Sequence, residues 1–458
     1  MPPRDLPGLY WDEDRQRYFP LSSAPSHGKG RPRVDRVPQS QQRITSDADT
    51  RNPTFPLIRS QPHQLLSGLR SSPPSTSHKD RLTHFLRCSR FALTGKAERL
   101  LMHSPWSGLA GSVTAFQTVH HNDRVWSFAG DSMGWFHSSL TNNQNQPTGF
   151  LTHGWQPEFN LSSEVSSISV SDSWCIATSF GPDCKILHFP LESTTEDIRV
   201  SRIDGHVACD IWTADLRGSR LALGAKNQLV CIDDIADRAA VQNLPTYSDV
   251  FAIAQENHTI YTGLRNGGLL RFDTRTWQSK GDALLGGLFT QPPNSITNLR
   301  LLRDSQLLVS NVDGKVSCLL RLFCLALDAT VGMVRLRQIS TFDLRFSSIR
   351  TPLKVFTGNI NSYVIKAPIA VDPSEDFLLA AGQDNRIRLW SLRSGGPPLA
   401  PSTSDTPIEF DGHNLLQHRF EHPVRAMQVS EEAEGITLWV GSGSDVFKYS
   451  LGRDVLGG

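Results

Sequence analysis

The chain has 458 residues, with 46 Lys and Arg against 45 Asp and Glu. A net charge of +1 provides no global field to draw the chain to nucleic acid or to an anionic membrane. The hydrophobic share of 38% is low for a chain packed throughout, so part of it is expected to be unfolded tail. The N-terminus has no apolar run behind a basic start, which argues against a secretory signal. Seven cysteines, at 88, 175, 184, 209, 231, 318 and 324, are scattered, odd in number and without a C-x-x-C pair. They fit reduced thiols of nucleus and/or cytoplasm, and neither a disulfide frame nor a metal site.

In chain order, residues 1–77 read as a mostly disordered tail, rich in Ser, Pro, Arg and Gln from 20 onward and too poor in apolar residues to offset ordering entropy. One island stands out in it, "LPGLYWDEDRQRYFPL" at 6–21, where Leu9 and four aromatic residues, Tyr10, Trp11, Tyr18 and Phe19, crowd together. A solvated tail needs no such cluster, so the island is expected to be a docking motif. Residues 78–97 carry Leu82, Phe85 and Leu86 at i, i+3 and i+4, then Leu93, with Lys and Arg elsewhere. This spacing predicts a short amphipathic helix leading into the next domain.

From 98 to the end the chain repeats one pattern: strand, short link, strand, tight turn, strand. The units start near 112, 165, 209, 249, 295, 367 and 423, and include "DVFAIAQENHTIYTGLRNGGLLRFDTR" and "APIAVDPSEDFLLAAGQDNRIRLWSLR". The starts follow the ~40–45-residue spacing of WD40 repeats with added loop variation. The small residues of the second strands ("ALGA", "YTG", "LAAG", "WVGSG") belong where packed sheets crowd around an axis. The prediction is an all-β, seven-bladed WD40 β-propeller, with the segment "ERLLMHS" (98–104) supplying the outer strand that closes the last blade.

One stretch breaks the pattern. After Gly314-Lys315 comes an apolar run, and only then Ile339-Ser340-Thr341-Phe342-Asp343-Leu344-Arg345. Without residues 316–338 the unit reads GKISTFDLR, beside GGLLRFDTR (267–275) and NRIRLWSLR (385–393). Arg321, Asp328, Arg335 and Arg337 interrupt the run well short of the ~20 apolar residues of a membrane span. A buried helix there would destroy the ladder it interrupts. The piece begins Val-Ser and ends Gln, as translated GTAAGT and CAG would, and its 23 residues correspond to 69 nucleotides in frame. It reads as a translated intron, against the alternative of a loop inserted in the third strand.

With that strand restored, consecutive units end in Phe272-Asp273-Thr274-Arg275 and Phe342-Asp343-Leu344-Arg345. These resemble the W-D-x-R box of WD40 substrate receptors of cullin-4 RING ubiquitin ligases, with Phe in place of Trp. Trp390-Ser391-Leu392-Arg393 keeps Trp and Arg and lacks the Asp. The island "PGLYWDEDRQRYF", the stretch "SITNLRLLRDSQLLVSNVDGK" and the unit "GNINSYVIKAPIAVDPSEDFLLAAGQDNRIRLWSL" are similar to the cullin-4-associated factor four family. That family runs straight from the second stretch into its own box. The resemblance covers 6–21 and roughly 245–395 well, and the early units only by pattern. It implies a non-catalytic substrate receptor in which Arg275, Arg345 and Arg393 contact the ligase's DNA-damage-binding adaptor subunit and the box aromatics pack. The protein substrate stays unnamed. In such receptors a helical lead-in often wedges into the adaptor; a cap on the propeller's underside is the other reading of residues 78–97.

Motifs for chemistry are missing: no G-x-x-x-x-G-K-[ST], no G-x-G-x-x-G after a strand, no G-x-S-x-G elbow. Gly441-Ser442-Gly443-Ser444-Asp445 falls where a strand-linking turn belongs, and His120-His121 with Asp123 reads as a solvated turn rather than a metal pair. His206 and His413, each after Asp-Gly, suggest the structural histidine of WD repeats. No catalytic residue, metal or cofactor is expected. A generic WD40 scaffold for protein or ribonucleoprotein assembly is the main rival, and an enzymatic propeller a distant one, since fold alone does not assign function.

Overall fold

The computed structural model describes residues 9–12, 17–20, 78–92, 97–101, 111–122, 124–142, 155–171, 173–192, 198–236, 241–276, 280–285, 294–303, 305–312, 339–344, 352–399, 414–432 and 435–451. Disorder over the tail, and the insert at 316–338, lie outside them. Leu9–Asp12 and Arg17–Pro20 form an antiparallel two-stranded hairpin that places Tyr10 opposite Phe19 and Trp11 opposite Tyr18.

The repeating units are seven antiparallel sheets, six of four strands and one of three among the described residues. Their first strands begin at Val113, Val165, Thr213, Val250, Ile296, Ile369 and Val424, within a few residues of the starts read from sequence. The second strands are the most buried, as in Phe377–Ala381, because sheets pack on both their faces. Outermost strands such as Arg199–Arg202 stay half wet. Cores lie between blades: Leu308, Ile339 and Phe356 of the fifth pack with Leu378 and Trp390 of the sixth.

The small residues of the second strands meet the first residue of the next blade. A Cβ on Gly130 would lie 2.3 Å from Val165, on Gly263 2.4 Å from Ile296, and on Gly441 2.7 Å from Val113. The last of these contacts joins the seventh blade to the first. The seventh sheet takes Ala97–Leu101 as its outer strand, with Val446 opposite Leu100, and Arg99 pairs with Asp445 at 2.6 Å. One sheet therefore holds strands from both ends of the propeller sequence, and this pairing closes the ring.

In the fifth blade the ladder can be followed on either side of the insertion. Ile339–Asp343 pairs with Gln306–Asn311 from Gln306↔Asp343 to Ser310↔Ile339. The last pairs of the fourth and sixth blades, Gly263↔Leu269 and Ala381↔Ile387, are separated by five residues. In the fifth blade 28 residues separate Ser310 from Ile339, and taking out 23 leaves the same five.

Side chains also stitch neighbouring blades. Asp215 Oδ2 accepts a hydrogen bond from the backbone N–H of Gln255 at 3.1 Å, and the Gln255 amide donates to the Asp215 carbonyl at 2.8 Å. Burial between the blades pushes the Asp215 carboxyl up to about 6. The unfolded chain then gives up this proton at lower pH than the folded one, so stability falls as pH rises from about 4 to about 6 and the cost persists above. Asp215→Asn keeps an acceptor and removes the ionisation. It should stabilise the propeller by roughly 1–3 kcal/mol at pH 7, and by nothing below pH 4. Urea melts of both chains at pH 7 and pH 4 check this; an equal gain at both would show that ionisation is not the cause.

Candidate functional site

The three candidate boxes occupy one register. Thr259 pairs with Asp273, Gln306 with Asp343 and Phe377 with Ser391, each at the start of a second strand and the end of a third. The next residue of each box then donates its N–H across the sheet: Thr274 to His258 at 2.8 Å, Leu344 to Ser305 at 2.8 Å and Leu392 to Asp376 at 2.8 Å. The third box position thus sits at the same level in three successive blades, with Arg275 and Arg393 following it in the fourth and sixth. In the second blade Trp174 pairs with Pro190 and Leu191 donates to Ser173, which puts Glu192 at the arginine position. Among the described residues Arg275 and Arg393 hold that position, in the fourth and sixth blades.

The box residues divide by burial. Phe272, Phe342 and Trp390 are buried in the inter-blade cores, and the Trp390 indole donates to the Thr357 carbonyl at 3.0 Å. These aromatics set the strand's position and do not reach the surface. Asp343 is buried as well. Arg275 is the exposed member, its side chain 68% accessible. Its Nε and Nη2 close on the two carboxylate oxygens of Asp273 at 3.0 and 2.6 Å, and this pair holds Asp273 well below the usual carboxylate range. The pairing orients the guanidinium and, among the described residues, uses Nε and Nη2. Arg345 lies outside the described residues.

Arg393 has a different setting. Its Nε donates to Asp376 Oδ1 at 2.6 Å, and the other oxygen of Asp376 accepts from Arg87 at 2.7 Å. Arg87 belongs to helix α1, His78–Ala92, which lies beneath the sixth blade. It also donates to Ser374 at 2.9 Å. His84 stacks on Phe377 with ring centroids 5.3 Å apart and hydrogen-bonds Ser391 Oγ at 2.8 Å; Phe91 lies 4.6 Å from the same ring. Burial of the ring beside Arg393 lowers the His84 pKa.

The helix forms where its spacing predicts, but a different face is buried. Cys88 and Phe91 enter the core, whereas Leu82 and Leu86, assigned to the apolar stripe, are 51% and 50% exposed. The carboxylates of Asp372 and Asp376 and the ring of Phe377 decide this, because they bind Arg87, His84 and Phe91 and so fix the rotation of the helix. Sequence periodicity counts apolar residues and gives no weight to an arginine that finds a buried carboxylate.

Asp445, at the end of the Gly441 turn, pairs with Arg99, and Ser442 Oγ donates to the His422 carbonyl at 2.7 Å. His206 is exposed, and its backbone N–H, not its ring, bonds Asp204, so the expected intra-blade role of its ring is not seen. His413 and Asp123 lie outside the described residues, and His121 approaches Glu192 at 3.6 Å. Among the described residues no three His, Cys, Asp or Glu side chains are placed to hold a metal ion. Nor is any described helix long and apolar enough to cross a membrane. For the docking motif, the backbone hairpin is what the structure adds.

No family model matches the chain. It is 25% identical over 215 residues to DDB1- and CUL4-associated factor 4 of Homo sapiens, a match that takes in 45% of this chain and 37% of that protein. The chain thus spans well under half the length of the curated relative it matches. Among solved structures it is similar to the WD40 β-propeller domain of Doa1, with a TM-score of 0.48 at 12% identity over 76% of this chain and 96% of that one. It is also similar to the β-propeller domain of Cps50 (Swd1) from Myceliophteria thermophila, with a TM-score of 0.46 at 13% identity over 77% and 99%. The seven sheets and their closure make the chain a seven-bladed β-propeller, and over 215 residues it is similar to DDB1- and CUL4-associated factor 4.

Proposed function

We propose that the chain is the substrate receptor of a cullin-4 RING ubiquitin ligase, working in nucleus and/or cytoplasm. It performs no catalysis; it tethers a protein substrate and so raises its concentration at the ligase. The observation that supports this reading is the shared register of Asp273, Asp343 and Ser391 in three successive blades, with Arg275 and Arg393 two residues further on in the fourth and sixth. Arg275 supplies an exposed, pre-oriented fork there, suited to an interface in a way that a lysine would not match. The exposed Leu82 and Leu86 on α1 add apolar area, so one helix both caps the sixth blade and faces outward. The match to a relative whose name couples it to DDB1 and CUL4 supports the same assignment. Affinity capture of the tagged chain tests it: the adaptor and cullin should co-purify. Their absence would leave the general scaffold reading.

The N-terminal hairpin has a role in the same proposal. An isolated two-stranded hairpin is marginal in water, so the facing Tyr10/Phe19 and Trp11/Tyr18 positions are read as a docking element stabilised by the surface it meets. In the assembled ligase, residues 6–21 should resist limited proteolysis while 30–70 are cut. Equal cleavage rates for the two segments would remove the docking role.

A further inference from the structure

The rim opposite the boxes carries a second surface that the adaptor assignment does not use. The link from the fifth to the sixth blade, residues 357–368, presents Ile360 at 42%, Tyr363 at 70% and Ile365 at 36% exposure. Three large apolar side chains on six residues are costly to display, and the loop that shows them is firmly built. Asn361, almost fully buried, donates to the Val364 carbonyl at 2.9 Å and accepts from its N–H at 2.9 Å. Gln383 of the sixth blade donates its backbone N–H to the Ile360 carbonyl at 2.7 Å, and its side-chain oxygen accepts from both N–H and hydroxyl of Ser362. At the far end Lys366 reaches Glu164 at 3.1 Å. The loop is therefore pre-organised, which lowers the entropy lost when it binds. Apolar residues displayed on a fixed backbone mark a binding surface rather than a folding contribution.

Two further segments are tied to it. The turn 382–386 is bonded through Gln383 to the loop and through Asn385 to Phe420, whose N–H donates to the Asn385 carbonyl at 2.9 Å. The three segments thus form one continuous patch. Its charges are unbalanced in a particular way. Asp384 is engaged by Arg388 at 2.6 Å and Lys366 by Glu164, while Arg386 and Arg419 are exposed and form no ion pair among the described residues. The exposed carboxylate on these segments outside such pairs is Glu421, one against two guanidinium groups. Apolar anchors flanked by spare arginines match a polypeptide whose large apolar side chains are interspersed with Asp or Glu.

We propose that this rim, centred on Ile360, Tyr363 and Ile365 and flanked by Arg386 and Arg419, is the substrate-recognition surface and takes an acidic peptide segment bearing large apolar side chains. The assignment rests on the receptor reading above, yet its test is separate. Short fluorescein-labelled peptides with Glu pairs around Leu, Phe or Trp are titrated against the full chain by anisotropy. Two matched control series carry Lys for Glu, or Ser for the apolar residue. The acidic-apolar peptides should bind at least about tenfold tighter than either control. Tyr363→Ser, at an exposed position, should weaken them at least about tenfold with unchanged melting, and Tyr363→Phe should retain most of the binding. Arg386→Glu with Arg419→Glu should weaken them to a similar degree and shift the preference toward the lysine series. All of these variants should still capture the adaptor. The proposal is overturned if the acidic-apolar series binds no better than its controls, or if the variants bind it as the parent does. If the parent chain binds the acidic-apolar peptides yet captures no adaptor, the ligase assignment is refuted and this surface is left standing.

Discussion

Deleting residues 316–338 is expected to convert a poorly soluble 458-residue chain into a soluble, cooperatively melting propeller of 435 residues. The register of the fifth blade supports this. Its ladder resumes at Ile339, opposite Ser310, and without those 23 residues its hairpin link has the five-residue length of the fourth and sixth blades. Leu319, Leu320, Leu322, Phe323 and Leu325 would bring a concentrated apolar run to a β-rich protein, a liability for aggregation. We therefore propose that 316–338 is translated intron and that the shorter chain is the working form. The longer form should also bind the adaptor more weakly, since Arg345 follows the strand whose register the insertion loosens. Sequencing the mature transcript addresses the genetic part, where reads running through codons 316–338 in most molecules would end it. Equal solubility and equal adaptor capture by the two forms would end the physical part.

Replacing Arg275 and Arg345 together by Ala should abolish adaptor capture, a loss of about 100-fold or more in affinity, while the melting temperature stays nearly unchanged. The asymmetry follows from exposure. Arg275 is largely solvated and pairs with a neighbour two residues away, and exposed pairs of this kind contribute little to folding. At an interface the same fork would be desolvated and its hydrogen bonds realised. Arg275→Lys should lose much of the affinity too, because an ammonium cannot reproduce the planar fork. Arg393 makes a poor probe for this purpose. It shares Asp376 with Arg87 of α1, so Arg393→Ala would disturb how the helix is held and mix two effects. Full adaptor binding by the double variant, measured with purified components, would show that the boxes are strand ends only.

The sequence by itself determined the repeating unit, the number of blades, the small residues at the crowded second strands and the equivalence of the boxes. All of these are written in short-range pattern: alternation at period two, turn residues at fixed offsets and recurrence after some forty residues. Gly263, Phe272, Phe342 and Trp390 were legible in this way because each answers to its own strand and the neighbouring one. What only the tertiary structure decided depends on residues far apart in the chain. The rotation of α1 was set by Asp372, Asp376 and Phe377, nearly three hundred positions away, against the face that its leucine spacing suggested. The raised carboxyl of Asp215 comes from being buried against the next blade. The rim at 357–368, 382–386 and 414–423 exists because Gln383 and Asn385 bond to loops on either side, and hydrogen bonds of that kind leave no periodic trace. Periodic burial is repeated at every turn of the chain and so can be read locally. A contact between two blades is made once, by whichever side chains closure of the ring brings together.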